Sequence, residues 1–521
     1  MSHGMPTRNP TELGDHVMQN PANWFLSREL ARRPPWEAQP LRIPGWDWAL
    51  VSACLALVVA VWLGLAAPSS LIAAVLLALN LVLLTTCVFR AIRAGAPGLA
   101  LMVLSCIIFF WFDAFVLASQ PLPFSPPGGM PLGQDRFSPE EVAKGLFYCG
   151  VFEAMIFVGY SWPARGATRI KRWAASRVDA SGPLAKIILC LCVPCGFLTL
   201  TIAYGFRPDA ILAALVNGRA GVAGVGEHQL WMNLDEFGLF GAAYFFVLAT
   251  SKGTVKRVAG VLIGAFAATP FVLSGTRHFL LFIFLPVCVA NLRKLSGSFN
   301  PGRVMKWSVL FVVFFRVSCL QVTLRQGGWV QILSPETIEI YPDTSGQFSS
   351  LLYAEHLVPA GHAFFHEFAE PFFVFHWIPR QFWEGKPTMA AWEFFNSSYT
   401  RGQNFNVTPS IIGQYYMNWG VAGVVLIGLW LGFLARLVDS VNLYVQGRNR
   451  TAVIVVIGMG YAFLVASFRH YHPLYFTYEA FAMFVMLAVT KRVTHSQVRD
   501  HGIISHRFMS RLQVIGASSS K

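Results

Sequence analysis

His366, Glu367 and Glu370, in "AFFHEFAEPFF" (363–373), fall at helical spacing, so a helix there would carry an imidazole and carboxylates on one face. Groups of this kind take a proton from an attacking hydroxyl. His278, His470 and His472 compete for that role. A second set is cationic: Arg277 in "FVLSGTRHFLLF" (271–282), Arg325 in "LRQGGW", Arg380 in "IPRQFW", Arg401 in "TRGQNFN" and Arg469 in "RHYHP". Arginine presents a planar, permanently charged fork that suits phosphate oxygens. Arg277 has no acidic residue near it in sequence, and apolar runs on both sides tether it. Arg316, in "VVFFRVSC", is costly to bury in lipid and is therefore functional or paired. The competing structural readings are snorkelling to headgroups for the arginines and a solvated loop for the acids.

The elements that must position these residues are membrane helices. The chain of 521 residues is 55% hydrophobic and only 13% charged, against about 25% charged in soluble domains. Runs such as "WALVSACLALVVAVWLGLAA" (48–67) are long enough to cross a bilayer. The expected fold is an all-α, polytopic transmembrane helix bundle. Its twelve spans fall near 46–66, 70–90, 98–118, 145–162, 185–205, 231–250, 257–275, 279–292, 307–323, 411–435, 452–468 and 474–490. With the N-terminus inside, 29 of the 40 Lys and Arg face the cytoplasm, which is the asymmetry that orients membrane proteins. Both termini are then cytoplasmic. No cleavable leader is expected, because about 45 polar, Pro-rich residues precede the first apolar run.

The resulting organisation is an N-terminal tail (1–45), a first part of the bundle (46–323), a large periplasmic loop (324–410), a second part (411–490) and a basic tail (491–521). The loop is expected to be partly helical, with 363–383 lying as an amphipathic helix on the membrane. Of the 13 histidines, five lie in the tails and the other eight map to the outer face, so the outer face is where chemistry is expected. The net charge of +14 sits mainly in cytoplasmic loops and tails, which argues for membrane lipids as partners and not nucleic acid. Cys190, Cys192 and Cys195 form C-x-C-x-x-C in an apolar span without a nearby histidine, and read as helix packing instead of a metal site. Asp113, Glu153, Asp235, Glu236 and Glu479 are intramembrane acids, structural if paired and ion-coupling if they line a watery path. No soluble-enzyme signature is present.

Two stretches resemble a known family. "LSGTRHFLLFIFLP" (273–286) resembles the Gly-x-Arg turn of Wzy-type O-antigen polymerases, and "NVTPSIIGQYYMNWGVAGVVLIGLWLGFLARL" (406–437) resembles the segment that follows their large periplasmic loop. The second stretch includes Tyr415 and an Asn-x-Gly-x-x-Gly pattern. The resemblance implies an integral membrane glycosyltransferase of the GT-C type in a bacterial inner membrane, without metal or other cofactor. It would join oligosaccharide repeat units carried on undecaprenyl diphosphate, by inverting transfer, to build O-antigen or a related surface polysaccharide. A chain-length regulator is a compatible partner. In that setting Arg277, with Arg325 or Arg401, would clamp the diphosphate. One of His366, Glu367 or Glu370 would be the base, and Trp377, Trp383 and Trp392 would stack on sugars. An O-antigen ligase is the nearest alternative, and a twelve-span transporter or lipid-linked oligosaccharide flippase a more distant one.

Overall fold

The computed structural model describes residues 70–118, 137–162, 183–217, 233–251, 253–273, 278–292, 347–358, 362–367, 383, 390–400, 409–444 and 451–469. These residues are almost entirely helical. Among them, six helices are long and apolar enough to cross a membrane, so the chain is a helical membrane protein. Three further apolar stretches, Lys186–Ile202, Phe237–Ala249 and Leu280–Asn291, are shorter. Expected spans at 46–66, 307–323 and 474–490, and both tails, lie outside the described residues.

The first helices are α1 (Ser70–Arg93) and α2 (Pro97–Cys106), the latter passing through a π-turn at Ile107–Trp111 into α3 (Phe112–Ala118). Next comes α4 (Pro139–Ser161), which starts six residues earlier than the apolar run suggests. The reason is a capping box: the Ser138 hydroxyl accepts from the Glu141 amide at 3.2 Å, and the Glu141 carboxylate accepts from the Ser138 amide at 2.7 Å. The expected span at 185–205 is two consecutive helices, α5 (Pro183–Leu191) and α6 (Val193–Ala203), with Pro194 in the first turn of the second.

Then follow α7 (Pro208–Asn217), α8 (Asn233–Ala249), α9 (Thr254–Leu273) and α10 (His278–Leu292). Within the expected loop lie two short helices, α11 (Gln347–Leu357) and α12 (Ala390–Thr400). The chain re-enters the bundle through α13 (Ile411–Tyr444) and α14 (Thr451–Arg469).

In lipid, close packing replaces the hydrophobic drive between helices, so small residues set the contacts. The α4–α13 pair meets backbone to backbone. A Cβ on Gly432 would lie 2.0 Å from the Ile156 carbonyl, and one on Gly159 would lie 2.1 Å from that of Leu429. At the far end of this pair Asp439, fully buried, ties four helices together. It accepts from the Gly98 amide at 2.7 Å and the Leu99 amide at 3.4 Å, capping α2. It also accepts from the Tyr160 hydroxyl at 2.7 Å and the Tyr461 hydroxyl at 2.8 Å. Asp113 serves α11 in the same way, receiving the Phe348 and Ser349 amides at 3.1 and 3.4 Å. Glu153 receives the Trp111 indole N–H at 2.9 Å. These two intramembrane acids therefore act as acceptors between elements.

Candidate functional site at the broken helix

Helix α13 is not continuous. Gly420 adopts φ 59, ψ −143, a left-handed conformation that L side chains rarely take, and the helix bends there. A break in an apolar helix frees backbone carbonyls that lipid cannot satisfy. Here a protein strap satisfies them. The Phe365 amide donates to the Met417 carbonyl at 3.1 Å, and the His366 amide to the Asn418 carbonyl at 3.0 Å. Residues 363–367 consequently form neither helix nor strand, and His366 itself has φ 53. The shared helical face expected for His366 and Glu367 does not form, nor does an amphipathic helix over this part of 363–383. Glu370 lies outside the described residues.

Glu367 is fully engaged. Its amide donates to the Asn418 side-chain oxygen at 3.3 Å, and its carbonyl accepts from the Trp419 indole at 3.2 Å. Its carboxylate receives the Ala390 and Ala391 amides at 2.8 and 3.3 Å, capping α12. His366 differs: it is exposed, and its ring packs T-shaped with Trp419, centroids 5.0 Å apart. A strip of rings continues inward from it. His366 is 6.2 Å from Phe364, Phe364 is 5.9 Å from Tyr416, and Tyr416 is 4.8 Å from Tyr148.

Close to the buried end of this strip, α4 and α11 make two close contacts between polar side chains. Lys144 reaches Glu140 at 3.1 Å and Glu355 at 3.8 Å, and His356 Nδ1 lies 3.0 Å from Glu141. Glu355 is 8% exposed, and its Oε2 is buried without a hydrogen-bond partner among the described residues. Burial pushes its carboxyl up to about 8; the Lys144 ammonium draws it back, while Glu141 and Glu140 push it higher. The group is thus mostly protonated at neutral pH.

Since the folded pKa lies above the unfolded value, the stabilisation this group contributes is complete below about pH 4.5 and is lost as pH rises through about 8. Glu355→Gln is expected to flatten that slope, leaving thermal stability near wild type at about pH 5 and higher than wild type at about pH 9, by a margin on the order of a few kcal/mol. Melting of the detergent-solubilised protein across that range measures it; an unchanged slope contradicts the assignment.

The remaining expected residues are placed as follows. Tyr415 is buried in α13, close to the break. Trp392 lies in α12 and Trp383 just before it, both half-buried. His278 opens α10 and Arg469 closes α14. Arg277, Arg316, Arg325, Arg380, Arg401, His470, His472 and Trp377 lie outside the described residues. The structure also brings forward groups to which the sequence assigned no role: Asn418, Lys144, the Glu140–Glu141 pair and Asp439. The local signals for two of them are the S-x-x-E pattern at Ser138–Glu141 and the Asn-x-Gly-x-x-Gly pattern that opens on Asn418.

These features define a helical membrane protein in which a broken helix, an aromatic strip and a buried carboxyl meet. Comparison with known protein families, curated proteins and solved structures finds no match. The likeness to O-antigen polymerases therefore rests on the two stretches quoted above.

Proposed function

We propose that this chain is an integral membrane glycosyltransferase that polymerises oligosaccharide repeat units carried on undecaprenyl diphosphate. The observation that carries the reading is the aromatic strip, which ends at an exposed imidazole on the strap that bonds to a broken membrane helix. Aromatic faces suit sugar rings, and an imidazole suits a hydroxyl proton. In this reading twelve spans hold both termini in the cytoplasm. The loop 324–410 then faces the periplasm of a bacterial inner membrane.

The growing glycan leaves its lipid diphosphate as the anomeric C–O bond breaks, the electron pair departing with the phosphate oxygen. A sugar hydroxyl of the incoming unit forms the new C–O bond and gives its proton to His366. Arg277, in the link 274–277 between α9 and α10, meets the departing charge, with Arg325 or Arg401 beside it. Glu367 is set aside as the base, because both its carboxylate oxygens already accept backbone N–H groups.

A null mutant tests the pathway. A polymerase null leaves single repeat units attached to lipid A, whereas a ligase null leaves none. The second outcome transfers the chain to the ligase reading. A transporter reading also has one observation in its favour, since broken apolar helices often border transport sites.

A further inference from the structure

His366 combines a left-handed backbone at a non-glycine residue with an exposed side chain. A backbone of this kind persists only where its surroundings over-determine it. The surroundings here are specific. On one side the strap is bonded to the carbonyls that the break at Gly420 releases. On the other side, each polar group of Glu367 is bonded: amide to Asn418, carbonyl to Trp419, and the two carboxylate oxygens to the first turn of α12. Glu367 is thus a joint between α12 and the broken helix, and His366 is the residue directly before it.

Space around the break restricts the strap further. A Cβ on Gly420 would come within 3.2 Å of the Phe364 ring, so glycine both permits the bend and lets the strap lie against it. Trp419 contributes twice, as a donor to the Glu367 carbonyl and as the surface that the His366 ring meets.

We propose that Glu367 is a positioning residue: through Asn418, Trp419 and α12 it fixes the His366 imidazole in the orientation that accepts the acceptor hydroxyl's proton. This rests on the glycosyltransferase reading above. It gives the carboxylate a purpose other than proton transfer, and it links the placement of α12, which carries Trp392, to the reacting group. An acceptor sugar that shifts α12 would then also adjust His366.

The test is a double-mutant cycle on the purified full chain with lipid-linked repeat units, combined with amide hydrogen exchange of the peptide spanning 362–367. His366→Ala is expected to lower kcat by about 10²-fold or more, the range for loss of a general base. Glu367→Ala is expected to lower kcat by about 10²-fold through misplacement, with KM changed by less than about threefold. Glu367→Gln keeps one acceptor oxygen and is expected to recover about a tenth or more of wild-type kcat. In the His366→Ala background, Glu367→Ala adds little further loss, because the two act as one unit. Exchange at 362–367 rises at least about tenfold in Glu367→Ala, since local opening governs it.

Additive losses in the cycle, or unchanged exchange, overturn the positioning role and leave the glycosyltransferase reading standing. Full activity in His366→Ala overturns both the base and its positioning residue. A wild type that forms no polymer removes the enzymatic reading, and with it the role assigned to Glu367, even if the exchange result still holds.

Discussion

Asp439→Ala is expected to leave a chain that inserts but does not hold its helices together. The carboxylate is buried and accepts from two backbone amides and two tyrosine hydroxyls, on α2, α4 and α14. Alanine leaves all four donors without their acceptor in a site that water does not reach. One unsatisfied buried group costs about 1–3 kcal/mol, and loss of a buried charged partner in such a network costs about 3–5 kcal/mol. Asp439→Asn retains one acceptor oxygen but turns an amide NH2 toward groups that are themselves donors, so only a partial recovery is expected. Unfolding in mixed micelles measures both; wild-type stability in the alanine variant would contradict the role assigned to the hub.

Arg277→Ala is expected to abolish chain growth, and Arg277→Lys to restore little of it. The motivation is chemical. A diphosphate leaving group carries charge that must be met as the anomeric bond breaks, and preorganised donors supply the largest share of such stabilisation. Loss of one comparable donor lowers kcat by about 10²–10³-fold. Lysine replaces a planar fork with a point charge and loses the bidentate geometry. The link that carries Arg277 spans only 274–277, between the ends of α9 and α10. Single-turnover assays with lipid-linked units measure the effect. Full activity in both variants would remove Arg277 from the site.

The apolar helices were legible in the sequence because lipid leaves little choice: a spanning segment must satisfy its backbone internally and cover it with apolar side chains. What was not legible depends on distant partners. Asp439 lies beyond the expected end of its span at 435, yet α13 continues to Tyr444 because four donors from elsewhere make burial of the carboxylate affordable. Glu355 was one of eight acids in the loop sequence, and only the packing of α11 on α4 distinguishes it. The start of α4 is legible from Ser138 and Glu141, a local capping signal that lies outside the apolar run. Gly420 belongs to the Asn-x-Gly-x-x-Gly pattern, but a glycine in an apolar run reads equally as a packing residue. The break becomes visible only with the strap that bonds to it. His366 stands out in the sequence for its side chain and its helical spacing to Glu370, yet no helix forms at 363–367; its left-handed backbone has no signature in residue type.

The most direct measurement is chain growth by the purified protein in proteoliposomes supplied with lipid-linked repeat units. The products are resolved by length, and lipid exposure on each leaflet is followed in the same vesicles. A polymerase yields a ladder of lipid-linked glycans that increases by whole repeat units and is lost in Arg277→Ala. Movement of the units across the bilayer without any increase in length would contradict it.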